Sequence, residues 1–380
     1  MTSAYDVAAY IWPSYHDEPR AHVFWPGHEG EWINVRTSKP KFPGHKQPRR
    51  PLWGYQNEAD PRVMEMQIDA AADHGVNVFA YDWYWYDRAP FLEACLNEGF
   101  LQARNNHRMK FFLMWANHNV THLWDRRQQE PGGVIWNAAW DREEFEIIGR
   151  RWIDRYFTHP CYYCIEGKPL LSIFRPQTMV DGLGGVDATR DALQWLNEQC
   201  RAAGLRGVHL QAIFTGGRLG DTMGLKGEER ASEPSDMEPE DDLHSTLPFA
   251  SMTNYQWVSM AAPEGTYADW SERARAGERM AAERYDIPFF PSVSVGWDNN
   301  ARFPELKEGY VVERNPEVFE ENLKAARAVI DQRDLDPKLV LINSWNEWTE
   351  DSYLLPDREF GYGYLEAVRN VFGACENEDI

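Results

Sequence analysis

The sequence predicts an α/β protein built as one (β/α)8 barrel over residues 1–380. Three observations point there. Eight short apolar, β-branched or aromatic runs recur along the chain, helix-like stretches lie between them, and helix start and stop residues fall at the joins. An open doubly wound sheet is the competing architecture, but no G-x-G-x-x-G follows any early strand.

The runs read as strands are residues 7–12, 76–83, 110–115, 170–174, 208–214, 249–255, 289–295 and 339–344. Helices are expected at 61–73, 142–157, 188–203, 269–284 and 316–331. Asp60-Pro61 and Asn315-Pro316 each place a capping side chain ahead of a proline, which fits the first turn because its missing N–H has no partner there anyway. His74-Gly75 and Ala203-Gly204 close two helices with the glycine that left-handed termini favour, and each is followed at once by a strand. Two insertions are expected to form long loops after strands. Residues 16–57, rich in proline and glycine and carrying Trp25, Trp32 and Trp53, should wall the active face. Residues 216–242 begin glycine-rich and end with eight acidic residues between Glu228 and Asp242, which reads as a solvated loop.

Composition excludes several classes. A net charge of −21 opposes binding to nucleic acid or to an anionic membrane, since both need a positive face. Apolar residues make up 43%, enough for a large core, yet no run approaches the ~20 apolar residues of a membrane span. The N-terminus lacks a basic, apolar leader, so the expectation is a cytoplasmic protein, or a periplasmic or secreted one whose leader has been removed. The five cysteines are odd in number and scattered, which is no disulfide framework; Cys161 and Cys164 match C-x-x-C without a second pair for zinc. No cofactor and no metal is indicated, and the residues do not speak to oligomeric state.

In a (β/α)8 barrel, chemistry gathers where strands end at the C-terminal face. The strand ends here share a theme. They carry Tyr10 and Trp12; Asp82, Trp83 and Tyr84; Asn117 and His118; Arg175; Tyr255; Trp297 and Asp298. Nearly every end sets an aromatic ring beside a hydrogen-bonding group, as a sugar site requires: polar groups for hydroxyls and flat rings for C–H faces.

The last strand is the most informative. The run ending at Ile342 breaks into Trp345-Asn346-Glu347-Trp348-Thr349-Glu350. Glycosidic cleavage needs two carboxyl groups, one to protonate the leaving oxygen and one to attack or to activate what attacks. Trp345, Asn346 and Trp348 frame the pair, and flanking tryptophans can exclude water and raise the acid's pKa. On a plain strand the two glutamates would face opposite ways, so Glu347 and Glu350 converge only if the chain turns between them. An isolated E-x-x-E is more often a solvated surface loop; the apolar strand and the tryptophans argue against that here. The carboxyl separation expected for a retaining enzyme is ~5–5.5 Å.

Several blocks resemble the family 99-like glycoside hydrolases, also called WbsX-type proteins. They include Gly44-His45-Lys46-Gln47-Pro48, the strand-two block from Phe79 to Tyr86, Gly167-Lys168-Pro169, and Gly296-Trp297-Asp298-Asn299-Asn300-Ala301-Arg302. The most specific is the Trp345 to Glu350 block, followed by Leu355-Pro356-Asp357 and Gly361-Tyr362-Gly363-Tyr364. The resemblance implies a (β/α)8 barrel and a retaining endo-acting mechanism on α-mannosides. In it Glu347 would take the proton of the sugar's own 2-hydroxyl, which attacks to form a 1,2-anhydro sugar. Glu350 would be the acid/base, with Tyr10, Trp83, Tyr84 and His118 lining the pocket. The chain departs from the family after its first tyrosine and in the acidic insertion, so the substrate class is a polysaccharide or oligosaccharide rather than α-mannan by inheritance.

Three other readings compete. WbsX-type sequences carry the name glycosyltransferase in polysaccharide biosynthesis, but no Asp-x-Asp metal motif or basic cluster ends a strand. A metal hydrolase using His118 and His122 has the right i, i+4 spacing without the H-E-x-x-H glutamate. A non-catalytic carbohydrate-binding barrel would need the tryptophans but not a paired acid and base.

Overall fold

The computed structural model describes residues 4–127, 133–138, 140–215 and 243–375. Its centre is a ring of parallel strands: β1 (Asp6–Ile11), β2 (Val78–Tyr86), β3 (Lys110–Trp115), β4 (Lys168–Ile173), β5 (His209–Phe214), β6 (Ser251–Asn254), β7 (Ser292–Ser294) and β8 (Leu339–Asn343). Hydrogen-bonded neighbours run β6-β5-β4-β3-β2-β1-β8-β7. A parallel bridge between Met252 and Phe289 spans the remaining gap, with Met252 N–H to Pro288 O and Phe290 N–H to Met252 O both at 2.8 Å. The ring is the (β/α)8 barrel expected from the eight runs.

The strands form where expected because they are buried on both faces: β1, β5 and β8 have essentially no exposed residue past their first. Helices Pro61–Asp73 and Pro316–Gln332 begin as the proline junctions predict. Asp60 accepts from the Arg62 amide and Asn315 from the Val318 amide. Gly75 and Gly204 terminate their helices at φ of 91° and 89°. Two differences stand out. The helix from Arg142 ends at Trp152 and continues as a π-turn over Ile153–Phe157. Strand β2 runs on to Tyr86, because Ala89–Phe91 folds back and pairs with it.

The insertion at 16–57 is an ordered wall rather than a bare loop. It contains a 3-10 turn at Pro19–Val23 and a short helix at Trp32–Thr37. Trp25 and Trp32 are buried, donating their indole N–H groups to Trp124 O and Gln56 O. Gly30, at φ +61°, packs tightly against the segment just after β1, where a Cβ would stand 1.8 Å from the carbonyl oxygen of Ser14. The insertion at 216–242 lies outside the described residues. No helix among the described residues is long and apolar enough to cross a membrane.

Gly30→Ala therefore combines a left-handed backbone with a backbone clash. It should cost about 2 kcal/mol or more in denaturant unfolding, and an unchanged midpoint would contradict this packing.

Candidate active site

Alternation along β2 sends Asp82 and Tyr84 into the barrel mouth and Trp83 and Trp85 outward. Trp83 and Trp85 then donate to Glu93 Oε1 at 2.8 Å and Glu144 Oε1 at 2.7 Å, on the helical layer. Beyond β8 the chain makes the turn that convergence of the glutamates requires. Asn346–Glu347 pairs antiparallel with Ser352–Tyr353, joined by a 3-10 turn at Trp348–Glu350 and by Asp351 at φ +53°. Ser344 fastens the base of the turn, accepting from Glu347 N–H at 2.8 Å and donating to Ser352 O at 2.6 Å.

The result is a cleft of about 450 Å³. Both Glu347 and Glu350 line it, with Asp82, Tyr84 and His118 on one side. Trp12, Trp124, Tyr255 and Trp297 supply ring surface. Trp12 and Trp124 lie 5.0 Å apart, tilted by 55°, and Tyr84 meets Trp12 edge-on at 5.6 Å. Such a half-apolar pocket with convergent acids suits a sugar ring.

The other expected site residues do not line the cleft. Tyr10 packs its ring 4.7 Å from that of Tyr255. Trp83 faces the helices for the reason given. Asn117 clips two loops together, donating to Arg175 O and accepting from Arg175 N–H, both at 2.7 Å; Arg175 caps the helix Pro176–Leu183. Asp298 pairs with His45 Nε2 at 2.9 Å and caps the turn Asn299–Arg302. Trp345 donates to Gln67 Oε1 at 2.7 Å, and Asn346 bridges the Trp12 backbone and Glu58. Trp348 stacks on Tyr353 with centroids 3.8 Å apart. These residues build the frame of the turn rather than its open face.

The decisive residues absent from the strand-end inventory are Arg302 and Glu31. Arg302 is buried, with Nη1 on Glu350, Nη2 3.6 Å from Glu347 Oε1, and Nε 2.8 Å from Glu31 Oε1. Glu31, from the 16–57 insertion, also accepts from Trp12 Nε1 at 2.6 Å and Thr349 Oγ1 at 3.0 Å. Arg302 lies in a motif visible in the sequence, but its partner is 271 residues away, and no local spacing reveals that pairing.

This environment separates the two acids. Burial, then the negative charge of Glu347, pushes Glu350 well above the usual glutamate range, with Arg302 opposing. Glu347 is raised too, chiefly by burial, but Arg302, the Tyr255 hydroxyl and a hydrogen bond from Glu350 favour its ionised form. The two carboxyls titrate as one interacting pair, and burial opposes ionising both at once, with Glu350 raised further than Glu347. Tyr255 donates toward the site at 3.0 Å from Glu347 Oε2. His118 is driven down to about 4 by burial, and its Nδ1–H donates to Asn119 O at 3.0 Å, so it is a neutral polar group here.

A second buried ion network holds the turn from behind. Asp351 takes Arg49 Nε at 2.6 Å and Arg314 Nε at 3.0 Å, and those two cations hold its pKa below the usual value despite burial. Regarding metals, Asp17, His22 and His28 have ligand atoms within 4.8 Å of one another. They are largely exposed, and Asp17 already bridges both rings at 2.6 and 3.0 Å. His118 and His122 join no such group among the described residues. The Cys161 and Cys164 thiols are unpaired, and burial raises both.

Comparison with known proteins adds the following. The profile of the family described as "Glycosyltransferase WbsX" matches residues 7–368. An uncharacterized protein, WxcX, of Xanthomonas campestris pv. campestris is 29% identical over 369 residues, covering 96% of this chain and 49% of its own length. The chain thus spans about half the length of the curated relatives it matches. Among solved structures, a glycoside hydrolase-like protein superposes with a TM-score of 0.61 at 14% identity, covering 98% of this chain and 94% of the other. A GH99 endo-alpha-mannosidase from Bacteroides thetaiotaomicron gives 0.57 at 15% identity, covering 98% and 97%. At such identities these neighbours establish the shared barrel.

Asp351→Asn should cost about 3–5 kcal/mol at pH 7, because it leaves two buried guanidinium groups underpaired. The carboxylate's folded pKa is depressed, so its contribution is complete above the unfolded value of ~3.9 and fades as pH falls through the folded one. Urea midpoints of wild type and variant should therefore converge in acid; a constant gap down to pH 3 would contradict the pairing.

Proposed function

This chain belongs to the WbsX family, and from the chemistry of its cleft we propose that it is a retaining glycoside hydrolase acting on a polysaccharide or oligosaccharide, with Glu347 as base and Glu350 as acid. The observation that carries the reading is the buried carboxyl pair under one guanidinium, where two carboxyls cannot both ionise cheaply. Arg302 draws the two carboxyls together, its terminal nitrogens lying 2.5 Å from Glu350 Oε1 and 3.6 Å from Glu347 Oε1, which supports a close retaining pair over the ~6.5–9.5 Å separation of inverting enzymes.

The substrate class taken here is an α-linked sugar of manno or rhamno configuration, whose 2-hydroxyl lies trans to the leaving group. Glu347 removes the 2-hydroxyl proton, O2 attacks C1, and the bond from C1 to the leaving oxygen breaks as Glu350 gives that oxygen its proton. Glu350, now a carboxylate, takes a proton from water; the water oxygen attacks C1, and O2 leaves with the proton held by Glu347. Both acids end as they began. Arg302 offsets the negative charge that moves between them without leaving its place, which is preorganised electrostatics rather than chemistry of its own. Trp12, Trp124 and Trp297 offer flat faces to the ring.

The family's description favours a second reading, transfer of a glycosyl group in polysaccharide biosynthesis. In the same cleft a sugar hydroxyl could replace water in the second step. A nucleotide-sugar donor would need cations for its diphosphate. Arg302 is the cation among the residues lining the cleft, and it is committed to three carboxyl groups. Hydrolysis is therefore preferred.

The test is a panel of microbial and plant glycans given to wild type and to the Glu347→Gln, Glu350→Gln double variant. Sugar release by wild type alone supports the reading; equal release by both sinks the assignment, and turnover seen only with sugar-nucleotide donors favours transfer. On a cleaved glycan, Glu350→Gln should lose about 10²–10⁴-fold with a poor leaving group and far less with an activated one. Activity should fall in acid as Glu347 protonates, at a pH above the ~4.3 of an ordinary glutamate, and in alkali as Glu350 ionises. Equal losses on both leaving groups would remove Glu350 from the acid role.

A further inference from the structure

Asp82 reaches the cleft from β2 with one carboxyl oxygen, Oδ1, that has no hydrogen-bond partner among the described residues. Its other oxygen lies 3.0 Å from the hydroxyl of Tyr255. The same hydroxyl lies 3.0 Å from Glu347 Oε2. A phenol has a single proton to give. It can donate to one carboxyl, and the other contact is a hydrogen bond only if that second carboxyl carries a proton and donates to the phenol oxygen.

Two arrangements satisfy this count, and the surrounding charges choose between them. Glu347 faces Arg302 at 3.6 Å, together with Tyr255, Glu31, Glu350, Tyr15 and Tyr84. Asp82 faces the hydroxyls of Tyr255, Tyr84 and Tyr10, and the carboxyls of Glu347 and Glu350. No cation is among its ion-pair partners in the described residues. An ionised Asp82 would be a second buried negative charge beside Glu347, with only hydroxyls to solvate it.

We propose that Asp82 is held as a neutral carboxylic acid that donates its proton to the phenol oxygen of Tyr255, which turns the Tyr255 O–H onto Glu347 and keeps Glu347 the ionised member of the pair. Asp82 is thus a positioning residue that acts through Tyr255. Burial, and then the charge of Glu347, push its carboxyl well above the usual aspartate range, the direction the geometry requires. Burial likewise keeps the Tyr255 phenol protonated. No net proton is moved by the relay, since each oxygen keeps the hydrogen it starts with.

The consequence for catalysis rests on Glu347 being the base, but the protonation of Asp82 does not, so two measurements keep the claims apart. The first is the infrared difference spectrum of the full chain at pH 7, wild type minus Asp82→Asn, in H2O and in D2O. A lost protonated-carboxyl C=O stretch that shifts on deuteration, with carboxylate stretches intact, is the expected result. Loss of a carboxylate stretch overturns the proposal. Tyr255→Phe removes the acceptor and should move the same carboxyl band; an unmoved band also overturns it.

The second is the acid limb of kcat/KM against pH on a cleaved glycan. Asp82→Ala frees Tyr255 to turn away, so Glu347 loses a donor and the limb moves up by about one pH unit. Asp82→Asn restores a donor to Tyr255 and brings the limb back toward wild type. If Asp82 were ionised, both variants would remove a negative charge from beside Glu347 and move the limb down. That opposite sign contradicts the relay. If no glycan is cleaved, the infrared result decides it alone.

Discussion

A guanidinium cannot be buried alone. The desolvation of Arg302 has to be offset by carboxylates that are themselves buried, and the barrel mouth is organised around satisfying that demand. Its partners come from two other parts of the chain: Glu31 from the insertion after β1, and Glu347 and Glu350 from the turn after β8. The insertion must therefore fold down onto the mouth, with Gly30 close against Ser14, for Glu31 to arrive. The β8 turn must reverse sharply for both glutamates to face one cation. The Asp351, Arg49 and Arg314 network fixes that reversal from behind, so that two independent ion clusters clamp the same few residues.

One asymmetry follows from this packing and supplies the chemistry. Two adjacent carboxyls cannot both ionise cheaply in a dry site, and the groups around them are unequal. Glu347 has the phenol of Tyr255, while Glu350 has the charge of Glu347 against it. In the proposed reaction, position alone makes an acid and a base of two residues of the same type. The family's description and the barrel's solved relatives name opposite directions of glycosyl transfer, but this asymmetry serves both. What differs is whether water or a sugar hydroxyl completes the second step.

Much of this was legible in the residues, and the rest was hidden for physical reasons. The eight strands are continuous apolar runs bounded by caps and glycines, signals that act over a few positions, and they appear where the runs predict. The E-x-x-E turn was readable because its own spacing demanded it. Strand ends carry more candidate residues than the mouth holds, since alternation puts only every second residue into it. Trp83 therefore faces helices while Asp82 and Tyr84 face the cleft. Asn117, Asn346 and Asp298 have the chemistry of sugar-binding groups, yet the backbone uses them first, as clips and caps. The sequence shows Arg302 only as the end of a motif and Glu31 not at all as a site residue, because their value lies in a pairing across 271 residues. A lone buried arginine in a loop motif signals such a pairing only once the fold is known.

The account stands on Glu347 acting as base on the sugar's own 2-hydroxyl while Glu350 acts as acid, and the stereochemistry of cleavage reports that division most directly. Proton NMR followed from the first seconds of hydrolysis of an α-linked glycan that the protein cleaves would show which anomer is released before mutarotation. An α product formed first is the predicted result, because attack by O2 and then by water inverts C1 twice. A β product formed first would mean that water attacks directly from the far face, and the arrangement of Glu347, Glu350 and Arg302 would then not be the one that performs the reaction.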